Sequence, residues 1–219
     1  MGFALRLYAL GSESLWYDEL LQLDIAQGPL SGILPQLPRH TAVPLDYFMS
    51  HFWILLGRQD SWVRLPAVMI GTLTLPLAYG LGRRLLGRSE GLLLMALLAL
   101  SPFHIRYSQE ARPYALVVLG VVLTVYALWQ YRASRRRRYL VMLQIGVLIF
   151  AMAHLFALVI FLPFVLWAGL DFIQARPRFA AARTLGALVG TGTVALVILL
   201  ALGYGGALFL LDPRILARP

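Results

Sequence analysis

Two short stretches of this 219-residue chain contain the side chains best suited to chemistry. The first is SLWYDE, residues 14–19, where Asp18 and Glu19 stand side by side behind two aromatic residues of the kind that favour a membrane interface. A carboxylate desolvated against Trp16 and Tyr17 gains basicity and can take a proton from a hydroxyl group. The same residues allow a second interpretation, in which Asp18 is the N-cap of the helix that follows.

The second stretch is YSQEARPYAL, residues 107–116, which separates two apolar segments. Ionisable residues at such a boundary are costly and usually functional. Arg112 has the planar fork that binds a phosphate through two hydrogen bonds, and Tyr107 and Tyr114 can stack or hydrogen-bond beside it. The alternative interpretation is an ion pair between Glu110 and Arg112 that closes a tight loop before Pro113.

The four histidines do not form a metal-binding pair at the helical i, i+4 spacing. His40 lies in the same predicted loop as Asp18, so a site that contains both is open, but the sequence assigns His40 no specific function. A divalent cation at the site is equally open.

The composition restricts the class of protein and of mechanism. Hydrophobic residues make up 60% of the chain and charged residues 13%, and the mean hydropathy of +0.75 excludes a water-soluble domain. All 19 basic residues are Arg, which excludes Schiff-base and phosphate-loop lysines, and the absence of Cys excludes thiol catalysis. The chain has no Walker-type glycine loop and no dinucleotide fingerprint.

Apolar segments long enough to approach a bilayer thickness follow one substantial polar loop. The loop covers residues 11–63, with surface helices predicted at 18–26 and 45–56. About six transmembrane spans are predicted within 64–211, so the whole chain is a single transmembrane domain. Both chain ends look truncated, which predicts the N-terminal part of a longer protein. The predicted spans are 64–82, 91–106, 113–131, 140–153, 155–170 and 185–211.

Arginines set the predicted orientation in the membrane. More than half of them lie in three short loops, after residues 82, 131 and 170. Positive charge near span ends stays in the cytoplasm, so an even number of crossings separates these loops. The apolar run 139–170 must then cross twice, as two helices that meet near His154. The same parity places the loops 11–63 and 106–113 together on the extracytoplasmic side. We interpret Arg135 to Arg138 as a topology anchor, with no role in nucleic-acid binding.

Four segments, in this order and spacing, resemble a known family: SLWYDE, PLDYFMSHFWILLG (44–57), RLPAVMIGTLTLPLAYGLGRRLLG (64–87) and SPFHIRYSQEARPYAL (101–116). The chain resembles the GT-C superfamily of membrane glycosyltransferases, close to the protein mannosyltransferase and aminoarabinose transferase group (families 39 and 83). The resemblance is good over residues 11–116 and extends beyond only in hydropathy. It implies an all-α polytopic membrane protein with a GT-C-type helix bundle and amphipathic helices beside the membrane.

The resemblance also implies an activity. Its members use a polyprenyl-phosphate-linked sugar as donor, with lipid, glycan or protein acceptors, and transfer with inversion on the extracytoplasmic side of the cell membrane. Asp18 matches the catalytic base and Glu19 is its neighbour in the motif. Glu110, Arg112, Tyr107 and Tyr114 are implied to lie near the donor phosphate. Two other classes are open: a transporter or flippase for a lipid-linked substrate, and a structural assembly subunit.

Overall fold

The computed structural model describes residues 1–40, 42–174 and 179–202, and the regular structure in these ranges is helical. The all-α fold class expected from the sequence is therefore confirmed. A short 3-10 turn, Leu37–His40, follows the third helix. The helices are α1 (Gly2–Leu7), α2 (Tyr17–Gln27), α3 (Leu30–Gln36), α4 (Pro44–Ile54), α5 (Asp60–Leu85), α6 (Arg88–Leu100), α7 (Pro102–Tyr107), α8 (Tyr114–Ser134), α9 (Arg137–Ala153), α10 (Ala157–Gln174) and α11 (Phe179–Ala201).

Among the described residues, three helices are long and apolar enough to cross a membrane: Asp60–Leu85, Tyr114–Ser134 and Ala181–Ala201. Apolar side chains on the outside of the bundle agree with lipid contact. On α6, Leu93, Leu97 and Leu100 each expose more than half of their surface. Patches of this kind mark membrane or protein contacts rather than a surface that faces water. The chain is therefore a membrane protein, and the number of crossings stays a prediction.

The predicted span 91–106 is divided in two by a proline. Helix α6 ends at Leu100, and α7 begins at Pro102, where the fixed φ of proline suits a first helical position. Ser101 lies in extended conformation, as residues before proline prefer, and its Oγ accepts a hydrogen bond from the backbone N–H of His104 at 3.3 Å. Helix α7 thus turns the chain towards the loop that carries the second motif.

The apolar run 139–170 forms two helices, as its length predicts. Helix α9 ends at Ala153, His154 is extended, and α10 begins at Ala157. That each of these helices crosses the membrane stays a prediction. The last part of the predicted sixth span, 203–211, lies outside the described residues, as do Arg176 and Arg178.

The arginine-rich turns lie together at one end of the bundle. Between α5 and α6 the chain reverses at Gly87, whose φ of +139° disfavours any other residue. Between α8 and α9 it reverses at Arg135, in left-handed conformation. Arg132, at the end of α8, pairs with Asp171 of α10 at 2.9 Å. The surface helices and the two sequence motifs therefore lie at the opposite end.

Helices α8 and α9 pack with their backbones in close approach, through small residues. A Cβ atom placed on Gly146 would lie 2.9 Å from the carbonyl oxygen of Gly120, and a Cβ on Gly120 would lie 2.8 Å from that of Gly146. Such small-residue contacts drive helix association in membranes, where lipid removes the hydrophobic driving force. Leu143, Val147 and Phe150 complete this buried core.

We expect Gly146→Ala to destabilise the protein by about 1–3 kcal/mol, because the added methyl group meets backbone atoms that cannot move aside. Gly190→Ala on α11 is the matched control, since a Cβ there meets no atom within 4 Å. Thermal unfolding of the full-length protein in detergent measures both changes. Equal melting temperatures for the two variants would contradict the close approach of α8 and α9.

Candidate active site

Glu19 is buried at the start of α2, with 1% of its surface exposed. Its carboxylate forms a bidentate ion pair with Arg64 of α5: Nε donates to Oε1 at 3.0 Å, and Nη2 donates to Oε2 at 2.7 Å. Each oxygen also accepts a backbone N–H, from Ala111 at 2.7 Å and from Trp16 at 3.0 Å. A buried ion pair is stable only with such additional hydrogen bonds, because both charges lose their hydration.

Arg64 connects this pair to the loop that precedes α2. Its Nη1 donates to the carbonyl oxygens of Leu10 at 3.0 Å and Glu13 at 2.8 Å, and its Nη2 donates to that of Ser14 at 3.1 Å. Together, the Glu19 and Arg64 side chains join three segments that are distant in sequence: the loop before α2, the start of α5 and the loop before α8. We call this group of bonds the Glu19–Arg64 lock.

The surroundings of Glu19 favour a positioning role. Burial alone would raise its pKa, but the hydrogen bonds from Arg64, Ala111 and Trp16 lower the pKa below its ordinary value. Glu19 is therefore ionised at neutral pH, and each of its oxygens is already occupied by two donors. Its catalytic role stays a prediction, while its visible contacts hold the neighbouring residue in place.

Asp18 faces away from the lock. The N-cap of α2 is Trp16, whose backbone N–H bonds to Glu19, so the interpretation of Asp18 as the N-cap is wrong. The Asp18 side chain is 62% exposed, so Trp16 and Tyr17 do not bury its carboxylate as the sequence had suggested. Its Oδ2 lies 3.8 Å from Nη2 of Arg112, and its carbonyl oxygen lies 3.5 Å from Nη1.

One cavity of about 500 Å³ collects the residues predicted from the two sequence motifs. We call it the main cavity because it joins the two motifs; a neighbouring cavity of about 530 Å³ shares Trp16, Arg106 and Glu110 with it. The loop after α1, the start of α2, helix α7 and the loop before α8 supply its wall, and the lock holds the first and last of these segments together. Its lining residues are Trp16, Tyr17, Asp18, Glu19, Phe103, Arg106, Tyr107, Glu110, Arg112 and Tyr114.

The charged residues of the main cavity pair differently from the sequence interpretation. Glu110 pairs with Arg106, four residues earlier, at 3.1 Å, and Arg112 approaches Asp18. An ion pair between Glu110 and Arg112 as a loop brace is therefore wrong. Arg106 also lies over the ring of Trp16, at 5.6 Å from its centroid. The guanidinium of Arg112 is thus left at the cavity beside the exposed carboxylate of Asp18.

A row of aromatic rings runs from the main cavity to the connection between α9 and α10. The ring centroids of Tyr107 and Tyr114 are 4.7 Å apart, those of Tyr114 and His154 are 5.9 Å apart, and Phe156 follows at 5.5 Å. Burial and the positive charge of Arg112 lower the pKa of His154, so its ring is neutral at pH 7. Its Nδ1 accepts a hydrogen bond from the backbone N–H of Phe156 at 3.1 Å.

Behind Asp18 and Arg112 lies a smaller chamber of about 190 Å³, which we call the side chamber. Both residues line it and the main cavity, so they stand between the two spaces. His40, Tyr47 and His154 also line the side chamber. The site that contains both Asp18 and His40 stays a prediction, although the two residues share this wall.

Three charged residues near the site were not identified from the sequence. Arg64 has a visible signal, as the one charge at the head of the apolar segment RLPAVM. Arg106 also has one, because it precedes Glu110 by four residues, the spacing at which side chains meet on a helix. Asp46 is the acidic residue of the apolar stretch PLDYFMSHFWILLG, and it is 2% exposed on α4.

In the described part of the chain, His, Asp and Glu side chains do not gather in groups of three or more that could hold a metal ion.

Comparison with protein families matches residues 40–200 with the family described as dolichyl-phosphate-mannose-protein mannosyltransferase. Neither a curated protein nor a solved structure matches the chain. The match covers well over half of the sequence and includes Arg64 and the 107–114 loop. It begins after Asp18 and Glu19, so it does not bear on these two carboxylates.

We expect Arg64→Met to destabilise the protein by about 3–5 kcal/mol, because it leaves the buried charge of Glu19 without a partner. Arg106→Met is the matched control. It breaks an exposed pair with Glu110, which contributes about 0–1 kcal/mol. Thermal unfolding in detergent reports both losses, and similar losses would contradict the lock.

If Arg64→Met does not fold, Glu19→Gln combined with Arg64→Met supplies the test. The double variant removes both charges, so part of the lost stability should return. A double variant that also fails to fold would contradict this compensation between Glu19 and Arg64.

Proposed function

The chain belongs to the dolichyl-phosphate-mannose-protein mannosyltransferase family, and from this premise we propose that it transfers a sugar from a polyprenyl-phosphate donor to an acceptor hydroxyl in the main cavity. It is a glycosyltransferase of the GT-C type. The observation that supports the proposal is the placement of an exposed carboxylate, Asp18, beside the guanidinium of Arg112 in one cavity. A transfer reaction needs both a base and a cation that stabilises a leaving phosphate.

Asp18 is the proposed base. It is the second residue of α2, and the lock fixes the same helical turn through the next residue, Glu19. Its carboxylate is 62% exposed and lines the cavity, so an acceptor hydroxyl can reach it. A base must lie within hydrogen-bond distance of the proton that it removes. Rigid backbone and accessible oxygen atoms are what this role requires.

Arg112 is the proposed partner of the donor phosphate. Its side chain is 20% exposed, and its two Nη atoms face the side of the cavity where Asp18 lies. A guanidinium can donate two parallel hydrogen bonds to a phosphate. In the free protein, the 3.8 Å distance between Arg112 and Asp18 is loose for an ion pair, so a phosphate can replace this contact.

The reaction is a single displacement. The acceptor O–H bond breaks and its proton passes to an Oδ atom of Asp18, while the acceptor oxygen forms a bond to the anomeric carbon. The bond from this carbon to the phosphate oxygen breaks, and polyprenyl phosphate leaves with the electron pair. Attack opposite the leaving group inverts the anomeric configuration. Arg112 stabilises the negative charge that grows on the phosphate.

The site is proposed to face the extracytoplasmic side of the cell membrane in a multi-pass protein. The main cavity lies at the end of the bundle opposite to the turns that contain Arg83, Arg84 and Arg135 to Arg138. Positive turns stay in the cytoplasm. The donor then lies with its lipid chain in the bilayer and its phosphate at the cavity. A lipid, glycan or protein hydroxyl is the acceptor.

We expect Asp18→Asn to reduce kcat by about 10²–10⁴-fold, the range of general base catalysis, with little change in donor binding. The assay uses the full-length protein, labelled polyprenyl-phosphate mannose, and a panel of hydroxyl-bearing peptides and glycolipids. Asp24→Asn, an exposed carboxylate on the same helix, is the control and should transfer normally. Near-normal transfer by Asp18→Asn would overturn the base assignment. Donor movement across the membrane without transfer by the wild type would favour a flippase.

We expect Arg112→Lys to raise the donor KM about tenfold, because an ammonium group cannot reproduce the bidentate contact. Arg58→Lys is the control, since Arg58 is exposed before α5 and donates to Oε1 of Gln27 at 3.2 Å. Initial rates at varied donor concentration give KM and kcat separately. An unchanged KM for Arg112→Lys would show that Arg112 does not bind the phosphate.

A further inference from the structure

A second carboxylate lies beneath the main cavity, on α4. Asp46 is 2% exposed, and its Oδ2 has no hydrogen-bond partner among the described residues. A buried carboxylate without full hydrogen bonding lowers the stability of a protein. Because each buried polar atom without a partner needs an explanation, the surroundings of Asp46 are informative.

Asp46 shares a small cavity of about 10 Å³ with Arg112. This is close to the volume that one water molecule needs. Nε of Arg112 is also buried and has no partner in the described structure. A third such atom is Oε1 of Gln22, whose Nε2 donates to Oγ of Ser50 at 2.9 Å. Three buried polar atoms without a partner, one of them on Asp46 itself, thus belong to neighbouring residues of three different segments.

We propose that Asp46 is a positioning residue for Arg112, whose Nε edge it holds across one buried water so that the Nη edge faces the donor phosphate. A guanidinium is planar, so fixing one edge fixes the direction of the other. The two Nη atoms of Arg112 already lie towards Asp18, at the main cavity. The assignment of the phosphate to this edge rests on the proposed function, while the position of Asp46 and Arg112 in one small cavity does not.

The charge of Asp46 is available at neutral pH. Burial raises its pKa to about 6, and the nearby amide of Gln22 and the positive charge of Arg112 limit the rise. The charged or titratable groups that face Asp46 are Arg112, on the loop before α8, and Tyr47, on its own helix. Helix α2 supplies the neutral Gln22, and α5 supplies apolar side chains.

The raised pKa has a consequence for stability. Between the ordinary Asp value of 3.8 and about 6, the folded protein binds more protons than the unfolded chain, so stability falls as the pH rises through this window. Above pH 6 the penalty of burying the charge is complete. A residue kept at such a cost fits a functional role better than a structural one.

The first test is a double-mutant cycle on the binding of polyprenyl phosphate to the full-length protein, read from ligand-induced thermal stabilisation. Asp46→Asn, Arg112→Gln and the combined variant form the cycle. We expect Asp46→Asn to weaken binding about tenfold at pH 7.5, and the combined variant to bind no more weakly than Arg112→Gln. Unchanged or tighter binding by Asp46→Asn, or losses that add, would overturn the proposal. Asp24→Asn is the control and should bind as the wild type does.

The second test is the stability of the same variants without ligand. Asp46→Asn removes the buried charge, so its melting temperature should exceed that of the wild type at pH 8, and the difference should disappear towards pH 4. A brace needed only for folding predicts the reverse, a lower melting temperature at pH 8, and this result would overturn the proposal.

Neither test requires sugar transfer. If the wild type binds polyprenyl phosphate but transfers no sugar, the proposed function fails while the cycle still decides the role of Asp46. If the wild type transfers sugar and Asp46→Asn binds the phosphate normally, the role of Asp46 fails alone. If the wild type binds no polyprenyl phosphate, both fail.

Discussion

The candidate site depends on one buried carboxylate. Glu19 receives two hydrogen bonds from Arg64 and two from backbone N–H groups, so its charge is compensated without water. Such an arrangement permits one geometry, since any displacement leaves a charge unpaired in a low-dielectric interior. The loop before α2, the start of α5 and the loop before α8 are therefore fixed relative to one another. The main cavity is the space that these segments enclose.

The adjacent residues Asp18 and Glu19 have opposite surroundings because they lie on a helix. Successive side chains of an α-helix point about 100° apart, so one carboxylate of the pair faces inward and the other faces the cavity. The inward residue is paired four times, and the outward residue is mostly exposed. Of the two adjacent acids, Glu19 thus fixes the backbone, whereas the Asp18 carboxylate remains accessible.

Much of this arrangement follows from the sequence. Length and hydropathy predict most of the helices, and the length of the run 139–170 predicts the break at His154. The arginine-rich loops predict only that the two motifs share one side of the membrane. The pairing of charges was not predictable. Spacing along the chain shows that Glu110 and Arg112 are near each other, but not that each has a different partner. Asp46 was missed for the same reason, since its importance comes from residues that only the fold brings to it.

The lock also has a consequence for synthesis of the chain. Glu19 is separated from Arg64 by 45 residues and from Ala111 by 92 residues. At about 5–20 residues per second, the ribosome makes Arg64 roughly 2–9 s after Glu19, and Ala111 later still. Until Arg64 is made, the Glu19 carboxylate has no ion-pair partner, so it must stay hydrated, in water or at the membrane surface. If the insertion machinery released this segment into lipid before Arg64 was made, the Glu19 carboxylate would be buried without a partner. The folded site could not then form.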